Sequence, residues 1–218
     1  HTNGVAVAAL FGEVTLGGAF LAPYRLTERV ATVTSVVGRT VHELDARPAA
    51  DVLGEWVGEG IAEQVRSGGV VLAQTALSPV AIRRVFGANT HHLPVHPFQI
   101  QQPGGKVALF AKPEPGDVLC ALESTPDELV AQLGPLVEAA LRSGKLTADQ
   151  VAGGLLIYCA GCAGAVGPAL DEGLRVHLQR ELGAVPLLGL CTFGEQGHVP
   201  GLGNLHQNLS LGLLLFGR

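Results

Sequence analysis

Apolar and polar positions alternate on two length scales in the last third of the chain. Residues 154–159 form an unbroken apolar run that ends at Cys159. Residues 160–167 are dense in small residues, with Gly161, Gly164 and Gly167 three apart, and read as a turn. Residues 168–182 carry a helical pattern, and a second apolar run over 185–191 closes at Thr192. Two short apolar runs separated by a helix-length segment predict a strand–helix–strand unit. The ends of such parallel strands share one rim, where groups that bind ligands collect. A polar, glycine-containing loop then leads through Glu195 to His206 and Asn208, and residues 209–216 form a last apolar run.

Residues 1–12 read as a buried strand. Aligned without a gap on residues 206–217, they share the histidine, the asparagine, one leucine, the phenylalanine and the final glycine, which predicts an internal repeat. Residues 14–24 read as a glycine-rich connection. Residues 30–37 are strongly β-forming, and Gly38 and Arg39 mark a turn into residues 41–44. Pro48 opens a helix in whose first turn its missing N–H costs nothing. Ala49, Val52, Leu53, Trp56, Val57, Gly60 and Ile61 form its apolar stripe, and Gly68 and Gly69 end it. Residues 70–76 read as a strand. Residues 78–103 show little periodicity, which leaves His91 and His92 as loop residues, with a short strand over 97–101. Strands are expected over 106–111 and 118–123. Thr125, Pro126 and Glu128 then spell a capping box that opens a long amphipathic helix through Leu141. The expected fold class is α/β: mixed β-sheets from repeated strand–helix units flanked by helices, with a four-layer αββα arrangement as one way to stack them.

Composition narrows the functional classes. Of 218 residues, 47% are hydrophobic and 15% charged, so much of the chain must be interior. A net charge of −5 with no basic cluster argues against nucleic acid as a partner. No run is long and apolar enough to span a bilayer. The four cysteines, 120, 159, 162 and 191, do not have the density of a secreted disulfide scaffold. No signal or transit segment is visible, and the expectation is an intracellular protein, cytoplasmic, with a chloroplast location left open. The chain opens on His1 and contains no methionine, so its natural start is expected upstream.

Several constellations could carry chemistry. Cys159 and Cys162 have the spacing of thiol redox pairs after a strand. The bland reading is that Cys159 is a small buried residue at a strand end, followed by a glycine turn rather than a helix start. A zinc site would need two more ligands. The glycines at 161, 164 and 167 could aim N–H groups at an anion, but they match neither a phosphate-binding loop nor a dinucleotide fingerprint. Glu195, between two glycines, could hold an ammonium group or accept backbone N–H groups as a structural tie. His206 and Asn208 carry the same ambiguity. No Gly-x-Ser-x-Gly elbow is present for serine catalysis.

Together, Cys159, Ala160 and Gly161, the helix containing Glu172, the set Gly189, Thr192, Gly194 and Glu195, and the pair His206 and Asn208 resemble the C-terminal part of the FIST domain. His96, Pro97 and Phe98, and Leu44, Asp45, Pro48 and Ala49, resemble earlier landmarks of that family. The resemblance implies that residues 1–45 end the N-terminal FIST half and that residues 46–218 are the C-terminal domain. It further implies a sensory module for small ligands, amino acids among them, found beside signalling domains in bacteria and F-boxes in eukaryotes. One departure stands out: the family usually has arginine after Cys-x-Gly, where this chain has Cys162. The reading is a non-enzymatic module, without metal or cofactor, that binds a small metabolite or a protein partner. Its candidate ligand-binding residues are Cys159, Gly161, Cys162, Gly164, Thr192, Glu195, His206 and Asn208. Two rivals stay open: a structural subunit of a larger assembly whose pocket has decayed, and a cysteine-dependent redox enzyme.

Overall fold

The computed structural model describes residues 7, 9 and 11–218. The expected strand over residues 5–11, and with it the repeat, rests on residues outside that set. The chain begins with β1 (Leu16–Leu21), β2 (Arg25–Val37), β3 (Thr40–Leu44) and β4 (Arg47–Pro48). Next come α1 (Ala49–Val57), α2 (Ala62–Ser67), β5 (Gly69–Val70) and α3 (Leu72–Thr75). Four strands follow, β6 (Val80–Phe86), β7 (Asn89–Val95), β8 (Pro97–Gln101) and β9 (Lys106–Leu109), then β10 (Val118–Glu123), α4 (Pro126–Ala131) and α5 (Leu133–Gly144). The C-terminal part contains β11 (Val151–Cys159), α6 (Ala160–Val166), α7 (Leu170–Leu182) and β12 (Leu187–Thr192). It ends in β13 (Glu195–Val199), β14 (Gly203–Gln207) and β15 (Leu211–Gly217).

These elements build an α/β fold on two main sheets, a small mixed one and a larger antiparallel one. The smaller runs β1-β15-β11-β12, with β11 and β12 parallel and its other pairs antiparallel. The larger runs β5-β8-β9-β3-β2-β10-β6-β7, with β4 on the outside of β3. Residues 16–44 thus supply β1 to the small sheet and β2 and β3 to the interior of the large one, each paired with strands from after residue 46. Each sheet has its own core. Ala49, Ala50, Val52 and Leu53 of α1 pack on Val33, Val41, Val107 and Leu119 of the large sheet, and Trp56 lies against the same cluster. Leu129, Leu133, Leu136 and Val137 from α4 and α5 pack on Leu156, Tyr158, Leu211, Leu213 and Leu215 of the small sheet.

Strand register explains which side of the small sheet is covered. Side chains alternate across a strand, and the pairing puts Leu213 beside Leu156, and Leu214 and Leu188 on either side of Leu155. The face with Leu213 and Leu156 meets the helices. The opposite face carries Leu155, Ile157, Leu188, Leu190 and Leu214, and Leu188 and Leu190 are exposed. The β13–β14 hairpin sits over one end of that face: a Cβ on Gly197 would fall 2.2 Å from the Phe20 ring.

Four local expectations need correction. Residues 14–24 are not merely a connection, because β1 hydrogen-bonds β15 along its whole length. Its glycines serve packing: a Cβ on Gly17 would lie 2.3 Å from the Ala140 carbonyl oxygen, so α5 and β1 are in backbone contact. Residues 70–76 form a strand only at Gly69–Val70 and then turn into α3, where the Thr75 hydroxyl lies 2.8 Å from the carbonyl oxygens of Val71 and Pro97. His91 and His92 are in a strand, because β6 and β7 form a hairpin whose weak alternation comes from lying at the sheet edge. Finally, residues 160–166 are helix and not a glycine turn. Gly161 is small because Leu209 packs on it, where a Cβ would meet a methyl at 2.8 Å. The true glycine turn is Gly167, at φ +68° where α6 ends. The capping box at Thr125 and Glu128 is present as read, with Pro126 in the first turn.

Gly17→Val should push α5 off β1 and cost about 1–3 kcal/mol of stability in urea unfolding. Gly60→Ala, where the added methyl meets open space, should change stability by less than about 1 kcal/mol. Equal effects at the two positions would mean that the α5–β1 contact does not require glycine.

Candidate functional site

Because β11 and β12 run parallel, their carboxyl ends lie side by side, and Cys159 is directly paired in register with Thr192. A cavity of about 660 Å³ opens at this end, between the small sheet and the large one. From the small-sheet side it is lined by Cys159, Ala160, Gly161, Gly164 and Ala165, by Phe193 and Gly194 after β12, by His206 in β14, and by Asn208 and Leu209 after it. From the other side come Arg39 in the β2–β3 turn, Leu72, Ala73 and Ala76 in and after α3, His96 between β7 and β8, and Phe110 after β9.

Of the eight candidate residues, Cys159, Gly161, Gly164, His206 and Asn208 lie on this wall. Cys162, Thr192 and Glu195 stand behind it. Cys162 is completely buried, one helical turn on from Cys159. Glu195 is 2% exposed and accepts hydrogen bonds from the Thr192 hydroxyl (3.0 Å) and the Ser210 N–H (3.3 Å). The carboxylate thus ties the end of β12 to the segment entering β15. Burial raises its pKa, against the lowering effect of the Ser210 N–H and Thr192 hydroxyl. Asn208 joins the two halves of the cavity wall: its Oδ1 accepts from the His96 N–H (3.3 Å), and its own N–H donates to the Pro94 carbonyl (3.2 Å). Gly194 has φ +75°, and a Cβ there would fall 2.8 Å from His206 Nε2, so both its backbone and its contact with His206 favour glycine.

The charged and aromatic-ring side chains Arg39, His96, Phe110 and Phe193 of the wall were absent from the sequence-derived set. Arg39 takes part in no ion pair among the described residues. Its guanidinium offers a planar fork of N–H donors. His96 is 6% exposed, with its Nε2 3.0 Å from the Leu72 carbonyl oxygen. A carbonyl can only accept, so Nε2 carries the proton and Nδ1 is left as an acceptor. Burial pushes this imidazole down to about 4. The ring lies edge-on to Phe110, which stacks on Phe98 with centroids 4.6 Å apart. The only sequence signal for this group was the family landmark around His96.

The thiols form a third feature. Cys120, Cys159, Cys162 and Cys191 are all free. Cys159 is the last residue of β11 and the residue that precedes α6, so the pair does sit at a helix start, contrary to the reading from sequence. The Cys162 thiol, as a hydrogen-bond donor, holds Cys159 below its ordinary range, with burial opposing it. The same contact, with burial, pushes Cys162 well above its own. The Tyr24 hydroxyl donates to the Ala76 carbonyl (2.7 Å) and sits 3.4 Å from Cys162 Sγ.

The buried His96 should leave a signature in the pH dependence of stability. Its pKa is lower folded than unfolded, so its contribution is complete above about pH 6.5 and is lost as pH falls towards about 4. The loss amounts to about 3 kcal/mol at most. Glu195 acts in the opposite sense: its folded pKa is raised, so stability falls as pH rises from about 4.5 through that value. Comparing urea unfolding at pH 7 and pH 4.5 for the native protein and His96→Gln isolates the histidine. The variant should lose less stability than the native protein on acidification, and an unchanged difference would mean that the imidazole is not held neutral.

No curated protein and no solved structure gives a significant match. The family model of the FIST C domain matches residues 49–198, which include α1, the parallel β11–β12 pair, both cysteines of the pair and Glu195. The match covers more than half of the chain, and the protein belongs to the FIST C domain family.

Proposed function

We propose that this chain is a non-enzymatic sensory module whose cavity binds a small metabolite with an apolar body and one carboxylate, amino acids among the candidates. The observation that carries the reading is a cavity of about 660 Å³ whose wall is mostly apolar but which has one cation, Arg39, at its edge. Pockets of this size and character take small organic ligands. Where the family usually has arginine after Cys-x-Gly, this chain has Cys162, and Arg39 supplies a guanidinium to the same cavity from a different element. Guanidinium recognises carboxylate with paired donors. The Nδ1 acceptor of His96 and the Asn208 side chain add polar contacts. Glu195, which stands behind the wall, serves in this reading to hold β12 and β15 together.

A second reading, docking to a protein partner or into an assembly, is favoured by the apolar face of the small sheet, where Leu188 is 60% and Leu190 51% exposed. Exposed apolar sheet faces of this kind mark interaction surfaces.

Thermal-shift screening of small carboxylic acids, each paired with its neutral amide, followed by calorimetry on hits, tests the first reading. The acids should stabilise the protein and the amides should not. Arg39→Ala should weaken binding about 10- to 100-fold, the scale of a hydrogen bond to a charged group. Gly164→Leu, which places a side chain where there is open space, should abolish it. Glu195→Gln should leave affinity unchanged while lowering stability. Binding that survives both Arg39→Ala and Gly164→Leu would place the ligand elsewhere, and a panel without any stabilising acid would favour the docking reading.

A further inference from the structure

The cysteine pair has a property that ligand binding does not use. Cys159 and Cys162 are three residues apart across the start of α6, and side chains at that spacing on a helix face one another. Their environments differ. Cys159, 5% exposed, lies on the cavity wall. Cys162 is fully buried behind it and faces the Tyr24 hydroxyl. The inner thiol lowers the pKa of the outer one, against burial and the nearby Glu195 carboxylate. The exposed Cys191 and the buried Cys120 have no such arrangement: Cys120 is in the core of the large sheet, and Cys191 is on β12.

We infer that Cys159 and Cys162 form a peroxide-responsive dithiol, with Cys159 the attacking thiol and Cys162 the resolving one, closing to a disulfide in the cavity wall. The Cys159 sulfur attacks one oxygen of a hydroperoxide. An S–O bond forms, the O–O bond breaks, and the alcohol leaves with the proton from Cys159. The Cys162 sulfur then attacks Cys159. The S–S bond forms, the S–O bond breaks, and water leaves with the proton from Cys162. Two thiols lose two electrons in all, and the hydroperoxide takes them up as alcohol and water. The resting state is the dithiol, and the reaction is stoichiometric rather than catalytic. Closure draws Cys159 towards α6 and away from the cavity, so oxidation reshapes the wall on which Gly161 and Gly164 also lie. The inference does not depend on any particular ligand, and it stands or falls separately from the binding role.

The test is peptide mapping by mass spectrometry after brief exposure to hydrogen peroxide at stoichiometric concentration, without reductant. In the native protein the Cys159 and Cys162 peptides should appear linked, with a loss of two hydrogens and recovery on reduction. In Cys162→Ser, dimedone should trap a sulfenic acid on Cys159, because the resolving thiol is gone. In Cys159→Ser, Cys162 should remain a free thiol. Mapping of the native protein does not depend on how well either variant folds. A native protein in which dimedone traps Cys159 to the same extent as in Cys162→Ser would overturn the assignment of Cys162. Oxidation confined to Cys191, with Cys159 and Cys162 both reduced, would overturn the proposal as a whole.

Discussion

The parallel pairing of β11 with β12 is the constraint on which the rest of the molecule depends. Parallel neighbours cannot be joined by a tight turn, so the chain must leave the sheet, cross its face and return. In this protein α6 and α7 make that crossing, and both strands then finish at the same edge, with Cys159 beside Thr192. Strand ends have backbone groups that the sheet does not satisfy. The segments after the two strands, α6 and the Phe193–Gly194 turn, therefore diverge and leave a concavity. The buried Glu195 carboxylate keeps that concavity in shape by accepting from Thr192 on one side and Ser210 on the other.

The second sheet completes the cavity. His96 and Arg39 are far from the cysteines in sequence and on a sheet with its own core. His96 is held at the site by Asn208, whose side chain accepts from the His96 N–H and whose N–H donates to the Pro94 carbonyl, and Arg39 enters from the β2–β3 turn. The wall thus carries the His96 imidazole and the Arg39 guanidinium, with the Glu195 carboxyl, its pKa raised by desolvation, buried behind it.

The thiol pair belongs to the same geometry. The strand delivers Cys159 to the wall, and the first turn of α6 places Cys162 immediately behind it. Where the family pattern has a guanidinium after Cys-x-Gly, this chain has a second sulfur. Arg39 brings a guanidinium to the same cavity from the β2–β3 turn.

The sequence by itself determined what rests on local chemistry. The runs ending at Cys159 and Thr192 were legible as strands because each is a short unbroken apolar segment, and the α4 start was legible because Thr125, Pro126 and Glu128 satisfy the helix N-terminus within four residues. Of the candidate residues, Cys159, Gly161 and Gly164 lie at and just after the end of a parallel strand, where the rule that such ends share an edge points, whereas His206 and Asn208 come to the cavity from β14 and the segment after it. Where glycine was involved, local reading failed. Gly17 and Gly161 looked like turn residues, but they are small because Ala140 and Leu209 press on them, contacts made from more than forty residues away. The β6–β7 hairpin and α3 were also hidden, because neither has the regular burial from which periodicity is read. Only the tertiary structure decided that Arg39, His96 and Phe110 face Cys159. That meeting depends on one sheet docking against the other, and no periodicity within a segment encodes the partner it will meet.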